Sequence, residues 1–125
     1  MELPFTLAPI KFSTDKTRYY AKAYHYGTIE YKTIIRKIAK KTGKSLHEIK
    51  QILDQFGEEL VDGLQQGAKV ELGTFFTLYH SFKSDVVDHP AEFHPDHFKS
   101  KEIKIRPSKQ LKRQFQDIPV YQVDI

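Results

Sequence analysis

Residues 45–67 constrain the fold more than any other stretch of this chain. Ile49, Ile52, Leu53, Phe56, Leu60 and Leu64 recur at three- and four-residue steps, which places them on one stripe of an α-helix. Ser45 stands where an N-cap belongs, and Glu48 follows three residues later, the spacing of a capping box. Gly67 supplies the left-handed residue on which helices commonly end. The outward positions Asp54, Glu58, Glu59 and Asp62 are acidic, although the chain carries 20 Lys and Arg against 16 Asp and Glu. A stripe this long needs more cover than one short neighbouring helix provides. That requirement points to a second copy of the chain.

At 125 residues the chain fits one small domain. It has no cysteine, so neither a disulfide frame nor a thiolate site is available. No apolar run approaches the roughly 20 residues of a membrane span. The opening MELPFTLAPIKF has no basic region ahead of an apolar core, so no signal peptide is expected. No membrane partner and no small-molecule substrate are expected, and the expected location is cytoplasmic.

Residues 7–12 and 18–25 are β-prone runs separated by the turn chemistry of Ser13, Thr14, Asp15, Lys16 and Thr17, which predicts an antiparallel hairpin. Pro9 predicts an edge position for the first strand. Gly27-Thr28 predicts the start of a helix, with Thr28 as its cap. Tyr31, Ile34, Ile35 and Ile38 form the apolar face of that helix, and Arg36, Lys37, Lys40, Lys41 and Lys44 the opposite one. This cationic face suits either phosphate or plain solvent. After Gly67, residues 69–72 and 75–82 read as two strands joined at Gly73-Thr74. The second is apolar on both faces, as in a strand buried twice or reserved for a partner. Residues 83–98 predict a loop or protruding arm, with one lysine against four acidic residues, and with His89, His94 and His97. Residues 101–106 predict a strand with Ile103 and Ile105 inward and Lys104 and Arg106 on the other face. Ser108 then caps a short helix in which Leu111 and Phe115 face the core. The tail alternates Tyr121, Val123 and Ile125 and predicts one more strand beside the N-terminal hairpin.

Two constellations could carry chemistry. Lys99, Lys101, Lys104, Arg106, Lys109, Lys112 and Arg113 face only Glu102 before Phe115. Cations in such density release counterions from a duplex, which drives binding without reading sequence. The free N–H groups at Ser108-Lys109 add a helix N-terminus that favours phosphate. The second constellation, His94-Pro-Asp-His97 with His89 and Glu92 nearby, has donors for a divalent metal. The proline inside the spacing argues against two ligands on one helix face, so no metal site and no cofactor are expected. Glycine-rich phosphate loops, the G-x-S-x-G elbow and cysteine nucleophiles are missing, and no enzymatic activity is expected.

The order of these elements resembles the HU and integration host factor family of prokaryotic DNA-bending, histone-like proteins. The resemblance is carried by IAKKTGKSLHEIKQILDQFGEELVDGLQQGAKVEL at residues 38–72, GTFF at 73–76 and IKIRPSKQLKRQF at 103–115. It covers roughly residues 28–115, with an arm at 82–100. Residues 1–27, a β-hairpin, and 116–125, a tail strand, resemble the additions of a longer HU-like branch. The resemblance implies an α+β fold. It also implies an intertwined homodimer with a helical body and a β-saddle whose two arms reach around double-stranded DNA. It implies nucleoid association and low sequence specificity. By the same resemblance Lys104 and Arg106 face the duplex, and Ser108 and Lys109 hold phosphate with Lys112 and Arg113 beside them. Lys83, Lys99 and Lys101 flank that surface, and Pro90 or Pro95 is the counterpart of the family's intercalating arm proline. Two departures stand out. Phe76 occupies the family's second glycine position in its strand motif. The arm lacks the Arg-Asn-Pro tip and is acidic at Asp88, Glu92 and Asp96. The acidic arm and additional strands also fit an interaction module that keeps the fold with weak DNA affinity.

Overall fold

The computed structural model describes residues 1–11 and 16–124. The predicted turn residues Ser13, Thr14 and Asp15, together with Ile125, lie outside the described residues. In chain order the elements are β1 (Leu3–Lys11), β2 (Thr17–Ala23), α1 (Tyr31–Thr42), α2 (Leu46–Gln65), β3 (Val70–Glu71), β4 (Phe76–Ser84), β5 (Phe98–Pro107), α3 (Lys109–Gln116) and β6 (Val120–Gln122). Among the described residues they make an α+β fold of three α-helices and two three-stranded sheets, ordered β2-β1-β6 and β3-β4-β5.

The α2 helix begins and ends where its sequence dictates. The Glu48 N–H donates to Ser45 Oγ at 3.1 Å, and Gly67 follows the C-cap with φ +79°. Gly43 closes α1 in the same left-handed way, at φ +72°. The start of α1 differs from expectation. Thr28 does not cap it; Glu30 does, with no side-chain hydrogen bond. Residues 24–30 stay outside regular structure because the preceding segment is still tied to the first sheet, where the Tyr24 N–H reaches the Pro4 carbonyl.

In the first sheet β1 and β2 pair antiparallel from Phe5↔Ala23 to Lys11↔Thr17. The β6 strand lies on the other side of β1, parallel to it, over Leu3↔Val120 to Phe5↔Gln122. Pro9 therefore sits in the central strand rather than in an edge strand. It is tolerated because β6 covers only residues 3–5, so at Pro9 one side of β1 is open and no ladder bond is lost there. The Tyr26 and Tyr121 hydroxyls meet across the junction of this sheet with residues 24–30.

In the second sheet the antiparallel register places Val70, Phe76, Leu78, His80 and Phe82 on one face with Ile103, Ile105 and Pro107. Val70 touches α2 at Gly63, where even a methyl group would come within 2.8 Å of Val70 Cγ2. This apolar face thus turns toward the helices. The other face carries Thr77, Tyr79, Ser81 and Lys83 against Arg106, Lys104, Glu102 and Ser100.

The inward positions of the sequence are not covered within one chain. Ile103 and Ile105 lie on the helix-facing side as expected, yet remain 67% and 61% exposed. Ile52 at 59% and Phe56 at 47% on α2 are equally open, as is Phe115 on α3. Among the described residues only Ala39 and Ile49 are buried apolar side chains. The chain exposes 11095 Å². A compact chain of 14.6 kDa would expose about 6,900 Å². Ordering each residue costs roughly 1–2 kcal/mol, and burying one isoleucine returns only about 1.5–3 kcal/mol. Two buried residues cannot offset that cost, so the open stripe must be covered by something outside the chain.

Candidate nucleic-acid interface

The polar face of the second sheet is built around Tyr79. The Arg106 guanidinium lies 5.1 Å from the centre of its ring and the Lys69 ammonium 5.7 Å. Such cation–π stacking holds two long side chains in place without neutralising them. Directly across the strand pair, Lys104 opposes Tyr79. The sequence pattern flagged Lys104 and Arg106 but missed Lys69 and Tyr79. The signal was present, since Tyr79 alternates with Leu78 onto the charged face and Lys69 immediately precedes the same sheet.

Carboxylates engage three of the nine residues marked from sequence. Glu102 binds Lys83 and Lys104, each at 3.2 Å, and Asp85 binds Lys99 at 3.3 Å. The hydrogen bond from Lys104, then that from Lys83, holds the Glu102 carboxyl below the usual carboxylate range, with both charges adding and partial desolvation opposing. A lowered pKa means both pairs persist through neutral pH and are lost only as pH falls through that lowered value. Lys101, Lys109, Lys112 and Arg113 form no ion pair among the described residues and are exposed.

Ser108 has a structural task. Its hydroxyl donates to the Thr74 carbonyl and accepts from the Leu111 N–H at 3.0 Å, while its own N–H donates to the Phe75 carbonyl at 2.8 Å. This ties the start of α3 to the β3–β4 bend and leaves the following N–H groups, at Lys109 and Gln110, pointing out of the helix end. Ser108→Ala should therefore lower stability by about 1–2 kcal/mol and leave the salt dependence of DNA binding unchanged. Denaturant melts and salt titrations of the variant check both halves.

The arm is ordered by its own contacts. Lys83 and Ser84 mark a register shift, after which the Asp85 N–H donates to the His97 carbonyl at 2.8 Å. Pro90 and Pro95 each open a single 3-10 turn, over Pro90–Glu92 and Pro95–His97, with Asp88, Glu92 and Asp96 close in sequence. His94 and His97 are used locally. The Asp96 N–H donates to His94 Nδ1 at 3.2 Å and the His94 N–H to His97 Nδ1 at 2.9 Å. Among the described residues no group of three or more metal-capable side chains comes together. Phe98 packs its ring against Phe82 at 5.0 Å and Phe93 at 5.3 Å, so the arm closes on an aromatic cluster at its base.

A helical pair, a three-stranded sheet with a cationic outer face, an arm between its two long strands and a short capped helix together define the HU-like DNA-binding fold. The chain belongs to the HU-HIG family, HU domains fused to a winged helix-turn-helix, immunoglobulin or glycine-rich motif, whose model matches residues 1–122. A point variant of HU from Thermotoga maritima is similar at 26% identity and a TM-score of 0.52, over 69% of this chain and 97% of its own. A candidate bacterial DNA-binding protein from Bacteroides vulgatus ATCC 8482 shares the fold at 16% identity and a TM-score of 0.65. That likeness covers 97% of this chain and 47% of the Bacteroides chain, so this chain spans about half of that relative. No curated protein is detectably similar. HU-family proteins bind DNA and form dimers. No helix among the described residues is long and apolar enough to cross a membrane.

Proposed function

We propose that this protein binds double-stranded DNA with low sequence specificity, as a homodimer, and bends or organises it in the nucleoid without catalysing a reaction. The observation that carries this reading is the outer face of the second sheet, where Lys69, Lys104 and Arg106 gather around Tyr79 on the side turned away from α2. Lys109 and the start of α3 continue that face, with Lys112 and Arg113 on the next turn, whereas Lys101, opposite Phe82, falls on the other face with Ile103 and Ile105. Phosphate contacts of this kind position a protein on a duplex but carry no sequence information.

The second copy covers Ile52 and Phe56 of α2 and Ile103 and Ile105 of the sheet, and brings two such faces into one cradle. Residues 28–115 act as the DNA-binding unit, while β1, β2 and β6 extend it. Fluorescence anisotropy with a labelled duplex, read across salt concentrations, tests the proposal. Affinity should fall steeply with salt, and the absence of binding at low salt would reject it.

Glu102 sets how much of this face is available. Glu102→Gln frees Lys83 and Lys104. Exposed pairs contribute little, so duplex affinity should rise only a few-fold, with a steeper salt slope. An unchanged or weaker affinity in the same titration would show that these lysines do not meet phosphate. A second reading, an interaction module with weak DNA affinity, draws on the same carboxylates and on the acidic arm. It predicts that Glu102→Gln changes nothing.

A further inference from the structure

A cleft between the first turns of α1 and α2 joins an apolar floor to a cationic rim. Tyr31, Ile35 and Leu46 form the floor, and Lys32, Arg36 and Lys50 stand around a space of about 480 Å³. No carboxylate lines it. Lys32 is tied to Glu30 at 3.4 Å, whereas Arg36 and Lys50 form no ion pair among the described residues. Tyr31 and Leu46 are about half open to solvent. Ile52, Phe56, Ile103 and Ile105, which the second copy covers, do not line the cleft. The arm carries the complement. Val86 is 94% exposed, more than any other valine, leucine or isoleucine among the described residues. Asp88 and Glu92 follow it in the same loop and form no ion pair among the described residues. Leu78 of β4 pairs with Val70, the residue that touches α2, and Ser84 ends β4 six residues farther on. At strand spacing that sets the base of the arm about 20 Å along β4 from the helix contact.

We infer that the arm of one dimer docks in the cleft of another, with Val86 on the apolar floor and Asp88 and Glu92 against Arg36 and Lys50. The occupant is a second copy because this chain supplies both halves, an apolar side chain beside carboxylates and an apolar floor beside cations. Against a duplex, Asp88 and Glu92 would meet phosphates of their own charge. Against the rim they meet unpaired cations. Exposed ion pairs alone hold weakly, and burying the valine strengthens the contact by about tenfold or more. The two surfaces are unlike, so one pairing leaves a free arm and a free cleft, and association propagates from dimer to dimer. This association needs the dimer but no DNA, and so goes beyond the binding of a duplex.

Sedimentation velocity of the full chain, without DNA, in low salt and at rising protein concentration, tests this. The parent should form species heavier than the dimer. Arg36→Glu/Lys50→Glu in one chain and Val86→Asp in another should each weaken that assembly at least tenfold and leave the dimer. Arg36→Gln/Lys50→Gln and Val86→Ser, milder changes at the same exposed positions, should give smaller losses and replace any charge-altered chain that fails to fold. An equal mixture of the cleft variant, whose arm is intact, and the arm variant, whose cleft is intact, should recover the heavier species. A parent that stays dimeric at every concentration overturns the inference and leaves the sheet-face reading intact. So does assembly undiminished in either variant, or a mixture that stays dimeric. Loss of duplex affinity in Arg36→Glu/Lys50→Glu with assembly unchanged also overturns it, and assigns the cleft to phosphate. A monomeric parent rejects the dimer on which this association is built.

Discussion

Replacing Lys104, Arg106 and Lys109 by glutamine should weaken duplex binding at least about 100-fold near 0.1 M salt and flatten its salt dependence. Each phosphate neutralised contributes roughly 0.9 to the slope of log affinity against log salt. In a dimer the three substitutions remove six contacts, so the slope should fall by about 5. Arg106 matters most because it is held over Tyr79 and has no ion pair among the described residues, whereas Lys104 already shares Glu102. The three side chains are exposed and outside the apolar face, so the fold should be unaffected. Equal affinity and slope for parent and variant would remove the sheet face from the DNA interface altogether.

The other large effect concerns the uncovered stripe. Phe56→Asp should abolish the dimer, and folded structure with it. Phe56 lies in the middle of α2, next to Ile52 and Leu60 on the stripe, and is half open in the single chain. An aspartate there would have to be dehydrated when the partner closes over it, at a cost of several kcal/mol. Chains of this sort often have no stable folded monomer. Multi-angle light scattering should report about half the parent mass, and far-UV circular dichroism should lose most of its helical signal. A variant that stays a folded dimer would place the interface elsewhere. Glu58→Lys on the outward, acidic side of the same helix serves as the control, with both readings expected to stay at parental values.

Much of the fold could be read from residue order because the strongest local signals agree with the tertiary ones. Ser45, Glu48 and Gly67 fix the ends of α2 by chemistry confined to a few neighbouring residues, and nothing distant competes. The alternation around Ile103 and Ile105 gave the correct sheet face, since period-two patterns survive any packing. What local pattern could not give was which side chains find one another. Glu102 read as a lone acid in a basic run, but its place opposite Ser81 and beside Lys83 and Lys104 depends on strand register. Ser108 looked like a phosphate ligand because capping and anion binding use the same residue types. The Thr74 carbonyl that engages its hydroxyl lies 34 residues away in the chain. Thr28 failed as a cap for a related reason: the Tyr24–Pro4 bond ties the chain to the first sheet just upstream, and the helix starts only after Glu30. The stacking of Lys69 and Arg106 on Tyr79 likewise joins two strands and the segment before a third.

The parallel pairing of Leu3 with Val120 has a consequence for synthesis. The first strand leaves the ribosome long before its neighbour exists, and the loop closed by that pairing spans nearly the whole chain. Such long-range closure is intrinsically slow. During translation β1 can zip with β2 at once, but its other border stays open until residues 120–122 emerge. Loss of those residues would leave an unpaired strand border exposed, the kind of surface that seeds aggregation.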